Sequence, residues 1–351
     1  MKATEKPEAG GGDPRRTVAS GGPRRTVVSA SRRTDIPAFY ARWFLRRVEE
    51  GFCEWVHPFG GGLRRISLRP EDCAGIVFWT RNPGPLVPAL GDLRREGYVL
   101  YVHATITGYP RELDAYGPAL DVALRRFREA AGILGPDAVT WRYDPIVVSS
   151  LTPRERHLAV FEEISRALEG ATRSAYVSFV DLYGKTRSGF ERLERSRGIR
   201  FVDPGTEERR ELILRLRDLA ARRGMTLFAC CEDELAGEGV EKGRCVDAER
   251  LRALGADLPE TYARRPSRPG CGCSESVDIG AYDTCAFGCA YCYATRSREI
   301  ALERLREHDP ADTLLWRPPA LRALTTKPSR GGAEDGLSPP GFGSGPPRRG
   351  G

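Results

Sequence analysis

The sequence lacks the segments and motifs that identify several large classes of protein. No run of apolar residues is long enough to cross a membrane, and the first residues contain no apolar leader. No P-loop, G-x-G-x-x-G turn or nucleophile elbow is present. These absences exclude the usual phosphate-binding loops and the hydrolase elbow, and they predict a cytoplasmic protein without a membrane partner.

Histidine is scarce, whereas cysteine is abundant. The four histidines are scattered, and His103 lies in the middle of a predicted strand, where a histidine is more often a core residue than a catalyst. The ten cysteines are many for an intracellular chain. Without a secretory signal, clustered cysteines are typical of metal or redox ligands rather than of disulfides.

The positive charge lies at the two ends of the chain. The formal net charge is +7, and residues 1–26 and 317–351 carry the whole excess. The segment 27–316 has equal numbers of basic and acidic residues. A neutral central segment gives no global electrostatic argument for nucleic acid, although a local basic patch around Arg32 and Arg33 does not exclude it.

Composition predicts three regions. Residues 1–25 contain the Pro-Arg-Arg-Thr-Val repeat and predict a disordered arm, and residues 317–351 are rich in Pro, Gly and Arg and predict a disordered tail. Residues 26–316 predict a single α/β barrel-like domain whose C-terminal part is rich in cysteine.

Strand-like and helix-like segments alternate through this domain. The predicted helices are 37–50, 116–134, 153–168 and 207–223, with Thr152 as the cap of the third. The predicted strands are 26–30, 75–80, 98–107, 138–143, 175–182, 226–231 and 277–282. Such alternation predicts βαβ units and a parallel sheet, either a complete or partial barrel or an open doubly wound sheet. Functional groups of parallel sheets gather where the strands end, and most of these strands end in polar residues or cysteine.

Cys285, Cys289 and Cys292 form a C-x3-C-x2-C loop directly after the last predicted strand. Three such thiolates can bind three irons of a [4Fe-4S] cluster and leave the fourth iron open. S-adenosylmethionine can chelate an open iron through its amine and carboxylate, and Tyr291 is a candidate to pack near its adenine. The alternatives are a zinc site, which prefers C-x2-C pairs, and unligated thiols.

Other cysteines form a second candidate set. Cys230 or Cys231, with Cys245, Cys271 and Cys273, could ligate a second Fe–S cluster or zinc. The alternative is a group of partly buried inert thiols. Cys53 and Cys73 are isolated, and we expect both to be ordinary buried residues.

Three charged residues at strand ends are candidates for cofactor binding. Arg32 and Arg33 follow the first strand, and either could pair with the carboxylate of S-adenosylmethionine or of a substrate. Asp144 follows the fourth strand and precedes Pro145. The alternative roles are a structural ion-pair network for the arginines and a turn for Asp144.

The cysteine loop resembles the signature of radical S-adenosylmethionine enzymes. The wider pattern is similar to an uncharacterised bacterial family, domain of unknown function 1848, over about residues 27–310. The matching segments are 29–37, 78–83, 142–145, 230–232, 243–247 and 271–280. The 230–232 match makes Cys230 a better candidate than Cys231.

The position of the cysteine loop departs from the radical enzymes. Their loop follows the first strand of the domain, whereas this loop follows the last predicted strand. The resemblance therefore implies a partial (β/α) barrel of the radical S-adenosylmethionine type that is circularly permuted, with residues 277–282 as its first barrel strand.

Two functions follow from this interpretation. The first is an enzyme that generates a 5′-deoxyadenosyl radical for hydrogen abstraction from an unknown substrate, with an electron donor such as a ferredoxin or flavodoxin. The second is a zinc- or Fe–S-stabilised binding module without catalysis. An enzyme acting on nucleic-acid lesions is a third alternative, which the neutral central segment disfavours.

Overall fold

The computed structural model describes residues 25–57 and 62–325. The chain divides into two compact units, with the boundary between Trp316 and Arg317. Almost all of the predicted arm and most of the predicted tail lie outside the described residues. Within the predicted tail, Pro319–Thr325 is helical. None of the described helices is long and apolar enough to cross a membrane.

Twelve strands are present in the described part of the chain. They are β1 Thr26–Ala30, β2 Phe52–Val56, β3 Leu63–Ser67, β4 Cys73–Thr80, β5 Leu100–Thr105, β6 Val139–Arg142, β7 Val148–Ser149, β8 Ser174–Val177, β9 Phe201–Val202, β10 Thr226–Ala229, β11 Val240–Lys242 and β12 Val277–Asp278.

Ten α-helices accompany them in the same ranges. They are α1 Ile36–Phe39, α2 Ala41–Glu49, α3 Val87–Arg95, α4 Leu120–Leu134, α5 Arg154–Ala167, α6 Gly184–Arg197, α7 Thr206–Ala221, α8 Ala248–Ala253, α9 Arg298–Arg306 and α10 Pro319–Thr325. A 3-10 turn covers Asp233–Leu235.

Eight strands form one large sheet in the order β11-β10-β8-β6-β5-β4-β1-β12. Every pairing in it is parallel. The central strands are nearly continuous runs of buried residues, as expected for a parallel sheet covered on both faces. The prediction of an α/β fold with a parallel sheet is therefore confirmed, and all seven predicted strand segments contribute to this sheet.

The last strand of the sequence lies beside the first strand in space. Val28 pairs with Val277 and Ser29 with Asp278. Asp278 strengthens this pairing, because its carboxylate accepts hydrogen bonds from the Ser29 and Ser31 hydroxyls at 2.7 and 2.8 Å. Apart from β12, the strands of the sheet follow one another in chain order, which places the cysteine loop next to the start of the domain.

One predicted helix cap is wrong. Helix α5 begins after Pro153, and no side chain caps its first turn. The Thr152 hydroxyl instead donates to the Val147 carbonyl oxygen at 2.6 Å, a bond that closes the preceding turn. Thr152 is therefore a turn residue, and the competing acceptor upstream explains why the capping rule failed.

Candidate metal centre

A cavity of about 550 Å³ opens at the carboxyl ends of the parallel strands. Residues that follow β1, β4, β6, β8, β10 and β12 line it, so the sheet brings distant segments of the sequence to one place. All seven predicted metal ligands line this cavity, as do Arg32, Arg33, Asp144 and Tyr291. The cavity volume lies in the range usual for small-molecule sites.

The cysteine loop, Cys285–Cys292, connects β12 to α9. At its base, Asp283 accepts hydrogen bonds from the Arg296 backbone N–H at 2.7 Å and from the Arg296 Nε at 2.8 Å. Ser297 caps α9 by accepting from the Ile300 N–H. These contacts close the loop, and Cys285, Cys289 and Cys292 all open onto the cavity from it.

Two neighbouring segments contact the cysteine loop. The Ala290 N–H donates to the Leu113 carbonyl oxygen at 2.9 Å, and the Tyr116 N–H donates to the Phe287 carbonyl oxygen at 3.1 Å. On another side, a Cβ atom on Gly189 of α6 would lie 2.3 Å from the Ala290 carbonyl oxygen. Glycine is therefore required at this contact, because any larger residue would displace the loop.

Burial controls the protonation of the loop thiols in the protein alone. Burial, with the nearby Asp35 and Cys292, raises the pKa of Cys285 to about 12. Burial also raises the pKa of Cys289, although Arg81 opposes the change. A bound metal cation would reverse this preference, because coordinating thiols are deprotonated by the ion.

Arg81 organises the wall behind the loop. Its guanidinium forms a buried ion pair with Asp114 and donates to the Tyr291 hydroxyl oxygen at 2.9 Å. The other Asp114 oxygen accepts from the Cys289 thiol at 3.5 Å. Tyr291 therefore lines the cavity from a fixed position, and its ring packs edge-on against Tyr109. Its role toward adenine stays a prediction.

The second set of cysteines is larger than the sequence suggested. The Cys230 Sγ lies 3.3 Å from the Cys245 Sγ and 4.0 Å from the Cys231 Sγ. Cys271 interacts with both Cys231 and Cys273, and Cys273 also interacts with Cys245. We call this closed set, Cys230, Cys231, Cys245, Cys271 and Cys273, the five-thiol ring.

Hydrogen-bond donors surround the five-thiol ring. The Arg142 Nη1 donates to the Cys245 Sγ at 2.9 Å, and the Val246 N–H donates to the Cys273 Sγ at 3.4 Å. The Ser267 hydroxyl donates to the Cys271 Sγ at 3.6 Å. Contacts with Cys230 and Cys273, together with the Arg142 charge, lower the pKa of Cys245. The surroundings therefore favour thiolate at Cys245.

The three charged candidates differ in whether their side chains already have an ionic partner. Asp144 accepts from the Arg142 Nε at 2.8 Å, so its carboxylate is already paired. Arg33 lies 3.6 Å from the Asp278 carboxylate, which occupies it. The Arg32 guanidinium stacks over Trp79 at 5.1 Å, and its buried Nη2 has no hydrogen-bond partner in the described part of the chain.

The remaining cysteines and His103 have the positions expected of them. Cys53 and Cys73 are buried away from the cavity, and burial raises the pKa of each to about 12. His103 is fully buried in β5, and its Nε2 donates to the Cys245 carbonyl oxygen at 2.7 Å. Burial lowers the pKa of His103 to about 3, so the ring is neutral.

Sequence reasoning missed Arg81, Asp114 and the membership of Cys231. Arg81 follows strand β4 and lies in segment 78–83, one of the segments that match the family pattern, so its position in the sequence could have pointed to it. Asp114 lies in a loop, outside the matching segments and away from a strand end. All ten cysteines are free thiols in the structure, and no three His, Cys, Asp or Glu side chains among the described residues converge as ligands of a single ion.

The donor set suits a soft metal. Thiolates are the ligands of Fe–S clusters and of structural zinc. In an Fe–S cluster each cysteine binds a different iron, so the cysteines of the loop need not converge on one point. The residues present therefore fit a three-cysteine cluster site at the loop.

Comparisons with known proteins identify a family and little else. The family model described as "Domain of unknown function (DUF1848)" matches residues 27–294. No curated protein matches the chain in sequence. A solved structure of the tandem GH20 catalytic modules of the pneumococcal exo-β-D-N-acetylglucosaminidase StrH is 12% identical, with a TM-score of 0.26, over 70% of this chain and 68% of that one.

A second StrH structure, described by its inhibition and its N-glycan recognition, is 11% identical with a TM-score of 0.25. The match covers 70% of this chain and 67% of that chain. Likenesses this weak carry no argument about fold or activity.

Proposed function

Because the chain belongs to the DUF1848 family, a domain of unknown function, we propose its activity from the chemistry of its site: it is a radical S-adenosylmethionine-type enzyme. Cys285, Cys289 and Cys292 are the proposed ligands of a [4Fe-4S] cluster. When bound, such a cluster would supply the electron that cleaves S-adenosylmethionine to a 5′-deoxyadenosyl radical, which abstracts hydrogen from a substrate.

One observation carries this proposal. The three thiols of a single loop open together onto a cavity at the carboxyl ends of a parallel sheet, the usual place for the active site of such a fold. The motif itself contributes three thiols, which leaves one coordination position for a ligand. The cavity is also large enough for a small molecule beside the loop.

The candidate cofactor-binding residues are proposed to have different roles. Arg32 is the proposed partner of a ligand carboxylate, because its Nη2 is buried without a hydrogen-bond partner among the described residues and its guanidinium lies over the Trp79 ring. Arg33 and Asp144 are proposed to shape the cavity wall, since each already has an ionic partner. Tyr291, held by Arg81, is the proposed packing surface for an adenine ring.

We propose in addition that the sheet is a partial barrel of circularly permuted order, with β12 as its first strand. The strand order β12-β1-β4-β5-β6-β8-β10-β11 supports this reading. Under it, the cysteine loop follows the first strand of the barrel, as in the radical enzymes that the motif resembles.

The test is anaerobic reconstitution with iron and sulfide, followed by incubation with S-adenosylmethionine and dithionite. We expect brown protein and release of 5′-deoxyadenosine, with a ferredoxin or flavodoxin as the proposed natural donor. Cys289→Ala should lose cleavage activity completely. Cys53→Ala, which removes a buried thiol outside the cavity, serves as the control. Full activity in Cys289→Ala would overturn the proposal.

A second candidate function has its own support. The five-thiol ring brings the Cys230 sulfur within 3.3 Å of the Cys245 sulfur and 4.0 Å of the Cys231 sulfur, which favours a metal-stabilised binding module without catalysis. Formation of 5′-deoxyadenosine separates the two candidates. A binding module held by zinc or by an Fe–S cluster would not cleave S-adenosylmethionine, and a colourless protein that carries only zinc would identify the zinc form.

A further inference from the structure

The five-thiol ring is a set of buried thiols that the proposed cleavage reaction does not use. Four of its members, Cys230, Cys245, Cys271 and Cys273, are buried, whereas Cys231 is partly exposed. The four come from three separate segments of the chain, after β10, after β11 and before β12. Folding therefore brings together thiols that lie up to 43 positions apart.

The surroundings of the ring are those of an anion. Arg142 donates to the Cys245 sulfur, and the Val246 N–H donates to the Cys273 sulfur. Arg142 is also paired with Asp144, so its charge is already balanced. Its donation still gives the Cys245 sulfur a charged hydrogen-bond donor, which suits a thiolate that a metal holds in place.

The sulfur spacing is compatible with this interpretation. Four thiolates at tetrahedral zinc lie about 3.8 Å apart, as follows from a Zn–S bond of about 2.3 Å. Among the four proposed ligands, the Cys230 and Cys245 sulfurs lie 3.3 Å apart, close to that value. Among the described residues these thiols do not converge on one point, so metal binding requires their side chains to turn about χ1.

Cys231 is the unusual member of the ring. Its backbone has φ of 59°, in the left-handed region that a residue with a side chain seldom adopts. Gly270 lies against this backbone, since a Cβ there would be 3.4 Å from the Cys231 carbonyl oxygen. Two adjacent cysteines cannot both point to one centre in ordinary extended backbone, where successive side chains alternate. The left-handed conformation turns Cys231 toward its neighbours.

We propose that Cys230, Cys245, Cys271 and Cys273 bind a second metal centre, either zinc or an Fe–S cluster, and that Cys231 is a surplus thiol at its cavity face. This centre is distinct from the one proposed at the cysteine loop. It shares a cavity with that loop, so a substrate bound between them would contact both. Zinc and Fe–S chemistry use the same four thiolates, and metal analysis distinguishes them.

The experiment uses the full chain with Cys285, Cys289 and Cys292 all replaced by alanine, so that the loop cannot bind iron. Zinc, iron and acid-labile sulfide are counted in this protein as isolated and after reconstitution. We expect metal to remain bound in this background. Iron with sulfide identifies a cluster, and zinc without sulfide identifies a single ion. Absence of bound metal would overturn the proposal and leave the proposed cleavage reaction untouched.

Variants in the same background locate the ligands. Cys245→Ser and Cys273→Ser, separately and together, should lose the metal, whereas Cys231→Ser, the matched control within the ring, should keep it. Circular dichroism and thermal unfolding report whether each variant folds. To cover the case in which a ligand variant does not fold, Co²⁺ is also added to the folded background protein, where thiolate-to-metal charge-transfer absorption is expected. Metal retained by the Cys245/Cys273 double variant would refute the assignment, as would absence of that absorption.

Discussion

Arg81 and Asp114 form a buried ion pair directly behind Cys289. Removal of one partner from such a pair leaves an uncompensated charge, which typically costs about 3–5 kcal/mol. We expect Asp114→Asn to lower the free energy of unfolding by about that amount, measured by urea titration, because the Arg81 guanidinium then loses its ion pair and keeps the Tyr291 and Thr107 hydroxyls as hydrogen-bond partners.

The exposed pair Arg195–Glu191 on α6 provides the control. Its atoms are 4.0 Å apart and both side chains are largely in water, so Glu191→Gln should change the free energy by less than about 1 kcal/mol. Equal effects of the two substitutions would show that the Arg81–Asp114 pair does not stabilise the site.

His157 gives the fold a dependence on pH. It is buried on α5, its Nδ1 accepts from the Tyr143 hydroxyl at 2.9 Å, and its Nε2 donates to the Val147 carbonyl oxygen at 3.1 Å. Burial lowers the pKa of His157 to about 4, below the unfolded value of 6.5. The unfolded state therefore binds the proton more tightly, and the stabilising effect present above pH 6.5 is lost as pH falls toward 4.

The size of this loss follows from the pKa difference, about 3 kcal/mol for one buried histidine. We expect urea unfolding of the wild type to show this fall between pH 6.5 and 4. His157→Gln, which cannot take up a proton, should show a shallower fall over the same range. Parallel pH profiles for the two proteins would contradict the assignment. His103 is present in both proteins, so its own titration cancels in the comparison.

At the level of secondary-structure elements, helix α6 packs against the cysteine loop. Gly189 allows the Ala290 carbonyl oxygen to lie where a Cβ would otherwise stand. We expect Gly189→Ala to separate the helix from the loop, to destabilise the fold by about 1–3 kcal/mol and to lower the iron bound after reconstitution.

Gly132 is the matched control, because it also lies within a helix but has open space around its Cβ position. Gly132→Ala should leave iron binding unchanged and raise stability by about 0.5–1 kcal/mol, the usual gain from alanine in a helix interior. Iron binding unaffected by Gly189→Ala would show that the helix does not position the loop.

The large elements could be predicted from the sequence, whereas the short ones could not. Buried strands such as β4 are long apolar runs, so their pattern is visible without a structure. Strand β3 is exposed and carries two arginines, and β11 has only three residues, so neither has a recognisable pattern. Their positions depend on partners elsewhere in the chain.

The residues of the site also fall into two groups, those that a local sequence pattern reveals and those that only the fold brings together. The cysteines could be found because their spacing is local, and the strand-end rule correctly places Arg32 and Arg33 at the cavity. The pairing of Arg81 with Asp114 spans 33 positions and depends on the fold, so no local pattern predicts it. Cys231 was set aside because the 230–232 match favoured Cys230, whereas its left-handed backbone, which no local pattern predicts, turns it toward the ring.

At the scale of the whole molecule, the arrangement of strands in the sheet does not depend on the order in which the chain links them. The contacts that join β12 to β1 are backbone pairs and the bonds of Ser29 and Ser31 to Asp278, none of which depends on how the strands are linked. A chain that begins at β12 should therefore form the same sheet, since circular permutation is tolerated at exposed loops.

This expectation can be tested by re-ordering the chain. We would join residue 351 to residue 1 without deleting any residue of this chain, and open the chain between Glu260 and Thr261, both exposed and outside any helix or strand. The permuted protein should show the same circular dichroism and bind the same amount of iron, because β12 then precedes β1 as it does in the sheet. A second permutant, opened between Ala290 and Tyr291 within the cysteine loop, should keep its secondary structure but lose iron. If both permutants lost iron equally, covalent order rather than strand contact would control the site, and the permuted-barrel interpretation would be wrong.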